Sequence, residues 1–202
     1  AYTGTVGFKP TYGRVSRYGL VAFASSLDQI SVITRDVKDA AIMFTAISGF
    51  DPHDSTSAEF EVPSFDEIFS ESPGGFKVGL PSEYFVEGIE PEIRDRVLKA
   101  AELLAQNGFT VKEISMPHTK YAVAVYYLIA TSEASSNLAR YDGVRYGFRA
   151  PDADDLDSLY ELTRTGGFGE EVKRRIMLGT FALSAGYYEA YYLKAQKARR
   201  LI

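Results

Sequence analysis

The feature that most constrains the fold is a strand, helix and strand pattern in the first half of the chain. Residues 76–80 and 109–114 are each typical of a short strand. Between them, Pro91 predicts the start of a helix and Asn107-Gly108 its end. Tight connections of this kind make the two strands parallel, joined by a right-handed crossover. The sequence therefore predicts an α/β fold.

Helical patterns account for most of the rest. A helix is predicted over residues 36–48, with Thr34 as its N-cap and Gly49 as its stop. Its apolar stripe comprises Val37, Ala40, Ala41, Phe44 and Ile47. A helical turn is expected near residues 65–69, and further helices over 121–140, near 159–163 and from Glu170 onward. Residues 1–202 thus divide into a sheet-forming part, 1–115, and a mainly helical part, 116–202.

Composition excludes several classes of function. The chain has 202 residues, a formal net charge of -5 and no cysteine. The absence of cysteine removes disulfides, thiolate metal sites and a cysteine nucleophile. The two histidines, His53 and His118, each lie beside a proline and are interpreted as surface residues. No apolar run reaches the roughly 20 residues of a membrane helix, so a cytoplasmic protein without membrane contact is expected.

Two other local patterns suggest sites only weakly. Residues 166–169, Gly-Gly-Phe-Gly, are predicted to form a turn, but they lack the flanking residues of a phosphate-binding loop. Basic clusters at 173–175 and 194–200 are typical of solvated helix faces, with contact to a nucleic acid as the alternative.

The stretch from Phe8 to Arg35 carries an unusual density of special residues. It combines aromatic, arginine and glycine residues in one irregular loop and continues through Ser25-Ser26. Such a loop is either an ordinary packed connection that leads into a buried strand or part of a site. Ser25-Ser26 with Lys9 is the one nucleophile and base pairing that the chain offers, and we interpret it as structural.

Two helix faces could contribute to chemistry. Tyr126, Ala130, Glu133 and Asn137 share one face of a predicted helix. This face could be a binding surface or a polar seam against a neighbouring helix. On the helix from Glu170, a second face is formed by Arg175, Gly179, Ala182 and Gly186. An arginine among such small residues suits either a close helix contact or a small anionic ligand.

These segments resemble a known family. The run from Phe8 to Arg35, residues 130–138, 142–147, 171–176 and 183–192 are similar, in the same order, to the amidase signature family. Within it, they most resemble the glutaminase subunits of the tRNA-dependent amidotransferases. The resemblance covers effectively the whole chain and implies that residues 1–202 form a single partial domain of the family fold, a mixed β-sheet covered by helices. Ser31-Val32 stands where the family pattern has Gly-Pro, so the turn there is expected to differ.

The resemblance also implies roles for particular residues. The family uses a serine nucleophile, a second serine in a cis peptide and a lysine base, and all three are expected before Ala1. No catalytic residue is therefore expected within this chain, and the chain alone is expected to be inactive. Tyr126 and Arg175 would line a glutamine pocket, with Arg175 on the α-carboxylate and Tyr126 as a hydrogen-bonding group. An acidic residue for the α-amino group is expected after Ile202.

The implied reaction is hydrolysis of glutamine to supply ammonia to partner subunits B and C. These subunits would convert Glu-tRNA(Gln) or Asp-tRNA(Asn), with ATP and Mg²⁺ used by the partner and no cofactor in this chain. Mischarged tRNA would be met through the heterotrimeric complex. Two alternatives stay open: a stand-alone amidase of the same family, and a binding or scaffolding lobe without enzymatic activity.

Overall fold

A computed structural model describes residues 2–70 and 75–202 of the chain. The chain forms four strands and seven α-helices in these residues, a mixed α/β arrangement as predicted. In order they are β1 (Val6–Phe8), β2 (Val32–Thr34), α1 (Val37–Ile47), α2 (Phe65–Ser70), β3 (Lys77–Pro81), α3 (Pro91–Gln106), β4 (Thr110–Ile114), α4 (Ala122–Leu138), α5 (Leu156–Gly167), α6 (Glu170–Leu183) and α7 (Lys194–Leu201). Short 3-10 turns at Ser82–Tyr84 and Thr119–Tyr121 and a π-helical segment at Glu189–Leu193 complete the described elements.

The predicted strand, helix and strand unit is confirmed. Strands β3 and β4 pair in parallel, from Lys77 opposite Thr110 to Pro81 opposite Ile114. Helix α3 crosses between them and begins at Pro91, where the missing N–H costs the helix no hydrogen bond. Strands β1 and β2 pair antiparallel in a separate two-stranded sheet, so both strand orientations occur in the described residues.

Helix α1 differs from its prediction in its cap and in its apolar stripe. Asp36, and not Thr34, is the N-cap, and its carboxylate accepts from the backbone N–H of Asp39 at 2.8 Å. Thr34 cannot cap the helix, because it is the last residue of β2 and lies two residues before the N-cap position. Of the predicted stripe, Ala40, Ala41 and Phe44 are buried, whereas Val37 and Ile47 lie exposed at the ends of the helix.

Helix α4 is the most deeply buried element. Its buried residues include small polar and apolar side chains on several faces: Val125, Ile129, Ala130, Thr131, Ser132, Ala134, Ser135, Asn137 and Leu138. Helices α6 and α7 both pack against it. A cluster of Val125, Ile129 and Ala195 joins α4 to α7. The core of the helical half is therefore built around α4.

Three details of the second half correct the sequence predictions. Helix α5 extends over Leu156–Gly167 and is longer than the segment expected near 159–163. Gly166 and Gly167 consequently close this helix, packed against the Phe148 ring, and only the following residues form the turn. Helix α6 ends at Leu183, so Gly186 lies outside it and cannot share its face with Arg175. The C-cap residue Ser184 is extended, with a ψ of 160°, and ends the helix. Gly186 lies in the following turn and has a left-handed φ of 84°.

Candidate functional site

The candidate site is formed where α4 and α6 cross at very close range. A Cβ atom on Gly179 would lie 1.9 Å from the carbonyl oxygen of Thr131, so only glycine allows this approach. The close crossing places the N-terminal half of α6, with Arg175, beside the N-terminal half of α4, with Tyr126. The small-residue face predicted around Arg175 is thus a helix contact at Gly179 and Ala182, both of which are buried.

The structure brings the two predicted pocket residues together. The Arg175 guanidinium donates through Nε to Glu171 Oε1 at 2.9 Å. Glu171, followed by the Tyr126 phenol, raises the pKa of Arg175 above its ordinary value, because both favour the charged form. The contact between Arg175 and Glu171 has the geometry of a hydrogen bond, and the Tyr126 phenol lies near the same guanidinium. Arg175 also lies over the Phe23 ring, 5.9 Å from its centroid.

Phe23 belongs to the loop of residues 8–35, and α4 holds that loop in place. Asn137 Nδ2 donates to the Phe23 carbonyl at 3.0 Å and to Ser25 Oγ at 2.8 Å. Glu133 accepts from the Ser26 backbone N–H at 2.8 Å and from Ser26 Oγ at 2.6 Å. The polar face of α4 therefore binds this loop and is not a seam against another helix.

Other elements fix the same serines. Arg199 of α7 donates to Ser26 Oγ at 2.7 Å and to the Ser26 carbonyl at 2.8 Å. The Tyr12 phenol donates to the Ser25 carbonyl at 2.7 Å. Lys9 donates to the carbonyl of Pro10 at 2.8 Å. The hydroxyls of Ser25 and Ser26 are thus engaged in binding the loop to the helices, in agreement with a structural role.

A buried carboxylate supports the loop at Arg17, before Gly19. Asp54 accepts from the Arg17 backbone N–H at 2.8 Å and from Thr56 Oγ1 at 2.7 Å. The pKa of Asp54 lies well below its ordinary value, chiefly through the Arg17 backbone hydrogen bond, which favours the ionised form. The loop of residues 8–35 is therefore anchored on both sides of Gly19, at Arg17 and at Ser25-Ser26.

A cavity of about 270 Å³ opens beside this network. All of its lining residues except Leu183 have polar side chains: Ser25, Ser132, Glu133, Ser136, Asn137, Leu183 and Tyr192. Burial and, after it, the negative charge of Glu133 raise the pKa of the Tyr192 phenol. In the described part of the chain, the hydroxyl of Ser132 is buried without a hydrogen-bond partner.

The remaining candidates have local partners. His53 is paired with Asp51 at 2.9 Å, and Lys173 with Glu170 at 2.6 Å. The basic cluster at 173–175 is thus partly neutralised within α6. In residues 2–70 and 75–202, no group of three or more His, Cys, Asp or Glu side chains could hold a metal ion. None of the helices described there combines the length and apolar character that a membrane crossing requires.

The contacts of Glu171 and Phe23 with Arg175 are not among the predictions from the sequence. Glu171 has a usable signal, because it precedes Arg175 by one helical turn and can pair with it. Phe23 has none, because its contact depends on a loop that meets α6 far along the chain. Glu133 and Asn137 are on the predicted face, but their partner in the loop cannot be read from helical spacing.

Comparison with known proteins gives a consistent result. The sequence profile of the Amidase family matches residues 1–202. The glutamyl-tRNA(Gln) amidotransferase A chain of Persephonella marina is 62% identical over the whole of this chain, and that of Halalkalibacterium halodurans is 61% identical. In both cases, the chain spans 42% of the length of the relative.

Solved structures agree with the sequence match. The crystal structure of the corresponding glutamyl-tRNA(Gln) amidotransferase chain from Thermotoga maritima is 43% identical, with a TM-score of 0.67, over 98% of this chain and 38% of that one. A bacterial aryl acylamidase of the amidase signature family has the same TM-score at 22% identity, which shows a shared fold.

Proposed function

The chain belongs to the amidase signature family, and from that premise we propose that it is part of the glutaminase subunit of a tRNA-dependent amidotransferase. The identity of 62%, over the whole of this chain, to part of a glutamyl-tRNA(Gln) amidotransferase chain supports this choice within the family. The contribution of the chain would be one side of the glutamine pocket. The observation that carries this assignment is the meeting of Tyr126 and Arg175 at the crossing of α4 and α6.

The pocket chemistry follows from the charges. Glutamine carries an α-carboxylate, and a guanidinium can donate two parallel hydrogen bonds to its two oxygens. Arg175 is positively charged at neutral pH, as a guanidinium is in proteins, and Glu171 raises its pKa further. The side chain is about 28% exposed, which leaves a ligand access to it while one flank is shielded. The Tyr126 phenol would add a hydrogen bond to the bound substrate.

The reaction itself would use residues outside this chain. A serine hydroxyl would attack the side-chain amide carbon of glutamine, ammonia would leave, and water would then hydrolyse the acyl-serine to glutamate. By the family resemblance, the nucleophile, the second serine and the lysine base would precede Ala1. Residues 1–202 would bind and orient the substrate, so the chain alone would be inactive.

The ammonia would serve a partner. Subunits B and C of a heterotrimer would receive it and amidate Glu-tRNA(Gln) or Asp-tRNA(Asn), with ATP and Mg²⁺ bound by the partner and with tRNA met through the complex. We place this assembly in the cytoplasm. In this proposal, the exposed face of the chain would contribute to the interface with those subunits.

The test is kinetic and uses a full-length protein. Residues 1–202 replace the aligned segment of the Persephonella marina relative, and the resulting chimera is co-expressed with that organism's other subunits. Arg175→Ala should raise the KM for glutamine roughly 30-fold or more, because one charge-assisted pair contributes about 2–3 kcal/mol. Arg175→Lys should recover only part of this, since an ammonium cannot form the planar fork.

Arg174→Ala is the matched control. Arg174 is the sequence neighbour of Arg175 and is far more exposed, at 70% of its side chain. Its removal should leave the KM within about twofold, as expected for a surface ion pair. A stand-alone amidase acting on another amide would instead leave glutamine turnover unchanged in Arg175→Ala. A scaffolding lobe would show no change in glutamine kinetics with either variant.

A further inference from the structure

Glu171 links two neighbouring arginines on α6. Its Oε1 accepts from Nε of Arg175 at 2.9 Å, and its Oε2 accepts from Nη1 of Arg174 at 2.6 Å. The carboxylate uses a different oxygen for each arginine, so it can hold both at the same time. Among the residues that the structure describes, Glu171 is the only carboxylate paired with Arg175.

The nitrogen of Arg175 that Glu171 binds determines which donors of the guanidinium stay available to a ligand. Nε lies at the root of the planar fork, and the two Nη nitrogens lie at its tip. A carboxylate at Nε fixes the plane of the fork and leaves the tip for a second carboxylate. The Phe23 ring, 5.9 Å from the guanidinium carbon, restricts the same side chain from another direction.

We propose that Glu171 is a positioning residue that orients Arg175 toward the carboxylate of the substrate. The inference rests on the proposed function, in which Arg175 binds the α-carboxylate of glutamine. Glu171 does not touch the substrate in this arrangement. It holds Nε, and so presents both Nη nitrogens of Arg175 in one plane before the substrate arrives.

Electrostatics alone makes the opposite prediction. Glu171 with Arg174 and Arg175 carries one net positive charge, and removal of Glu171 would leave two, which should attract an anion more strongly. The Glu171 side chain is 55% exposed, so solvent and salt screen most of this gain. Loss of orientation should therefore outweigh the gain in charge, and the direction of the change in KM decides between the two effects.

The experiment compares two adjacent glutamates in the chimeric complex. Glu171→Ala should raise the KM for glutamine about tenfold, the effect of one charge-assisted hydrogen bond, with kcat within about twofold. Glu171→Gln keeps an oxygen that can accept from Nε, so its KM should fall between those of the wild type and Glu171→Ala.

Glu170→Ala is the control. Glu170 also lies in the first turn of α6, but its partner is Lys173, at 2.6 Å. Both alanine variants remove a carboxylate from the N-terminus of the helix and should lower the melting temperature by similar amounts. Only Glu171→Ala should change the KM. An equal change of KM in both variants would reduce Glu171 to a helix-stabilising role and overturn the inference.

A double-mutant cycle shows whether Glu171 acts through Arg175. In the Arg175→Ala background, Glu171→Ala should change kcat/KM by less than about twofold, because nothing remains to be oriented. A full tenfold effect in that background, or a lower KM in Glu171→Ala alone, would contradict the inference. If Arg175→Ala itself left glutamine kinetics unchanged, the proposed function would fail. If Arg175→Ala were impaired but Glu171→Ala behaved like Glu170→Ala, only the positioning role would fail.

Discussion

The crossing of α4 with α6 and the unit of β3, α3 and β4 are built on different physical principles. Nine residues of α4 are buried, on several faces of the helix. In α3, Ala101 is the one buried residue among those described, and most residues of β3 and β4 are at least partly exposed. The helix crossing is therefore held by close packing, and the strand unit chiefly by its backbone pairing.

The two regions also differ in what they contribute to the candidate site. The crossing positions Tyr126, Arg175 and the residues that hold the loop of residues 8–35. The strand unit carries none of the candidate site residues. We therefore expect substitutions at the crossing to affect both stability and glutamine kinetics, and substitutions in the strand unit to affect stability alone.

The largest effect should come from Gly179→Ala. The new methyl group would meet the Thr131 carbonyl oxygen at 1.9 Å, and both helices would have to shift because the obstacle is backbone. Overpacking of this kind costs about 3 kcal/mol, and the shift would also separate Arg175 from Tyr126. Thermal unfolding and glutamine kinetics of the chimeric complex should both show the loss.

Gly169→Ala is the matched substitution for that test. Gly169 precedes α6, has a φ of -66° and has open space where a Cβ would lie. Alanine there is a poorer N-cap residue than glycine and should cost no more than about 1 kcal/mol. Equal melting temperatures for Gly179→Ala and Gly169→Ala would show that the two helices are not in tight contact in the full-length protein.

A smaller effect is expected at the link between α4 and the loop. Glu133→Ala removes the acceptors of the Ser26 backbone N–H and hydroxyl, and leaves both donors without their partner. We expect a loss of about 2 kcal/mol in the free energy of unfolding and an increase in the KM for glutamine, because the loop carries Phe23 to Arg175. Chemical denaturation and steady-state kinetics measure the two effects.

Ser136→Ala provides the comparison on the same helix. Ser136 is exposed, and its loss should change the free energy of unfolding by less than about 0.5 kcal/mol. If Glu133→Ala destabilised the protein and left the KM unchanged, the loop would be a purely structural attachment, and its link to Arg175 would be refuted.

The two regions also differ in how well the sequence predicts them. The strand unit is predicted almost to the residue, because Pro91 and Asn107-Gly108 are local signals that act within one turn of the chain. The existence of α4 and α6 is equally clear. The contacts of these helices cannot be predicted in the same way. Glu133 pairs with Ser26, 107 positions away, and helical spacing shows only which face of the helix is polar.

The incorrect predictions for the N-cap of α1 and for the end of α5 have local causes. Thr34 and Asp36 are both good capping residues, and the choice between them depends on where β2 ends. Gly166 and Gly167 suggest a turn because glycine disfavours helices, but packing against Phe148 keeps them in α5. The adjacency of Tyr126 and Arg175 follows from the family resemblance. It cannot be obtained from either helix alone.

The smallest effect should come from Glu83, in the strand unit. This residue follows β3 and accepts from the Met116 backbone N–H at 2.8 Å and from Ser115 Oγ at 2.6 Å, both just after β4. Those bonds, led by the Met116 N–H, lower the pKa of Glu83 to about 2 from an ordinary value of 4.5. Because the folded state favours the ionised form, the stabilisation is complete above about pH 4.5 and is lost as the pH falls toward 2.

Glu83→Gln should therefore lower the melting temperature slightly at pH 7, and the difference should shrink as the pH falls and vanish below about pH 2, where the wild-type carboxyl is neutral too. Its effect should be below that of Glu133→Ala, because Glu83 lies half-buried at the surface, where solvent screens part of its interactions. The KM for glutamine should not change. A change in KM as large as that of Glu133→Ala would mean that the strand unit affects the geometry of the helix crossing. The strand unit would then contribute to the candidate site as well as to stability.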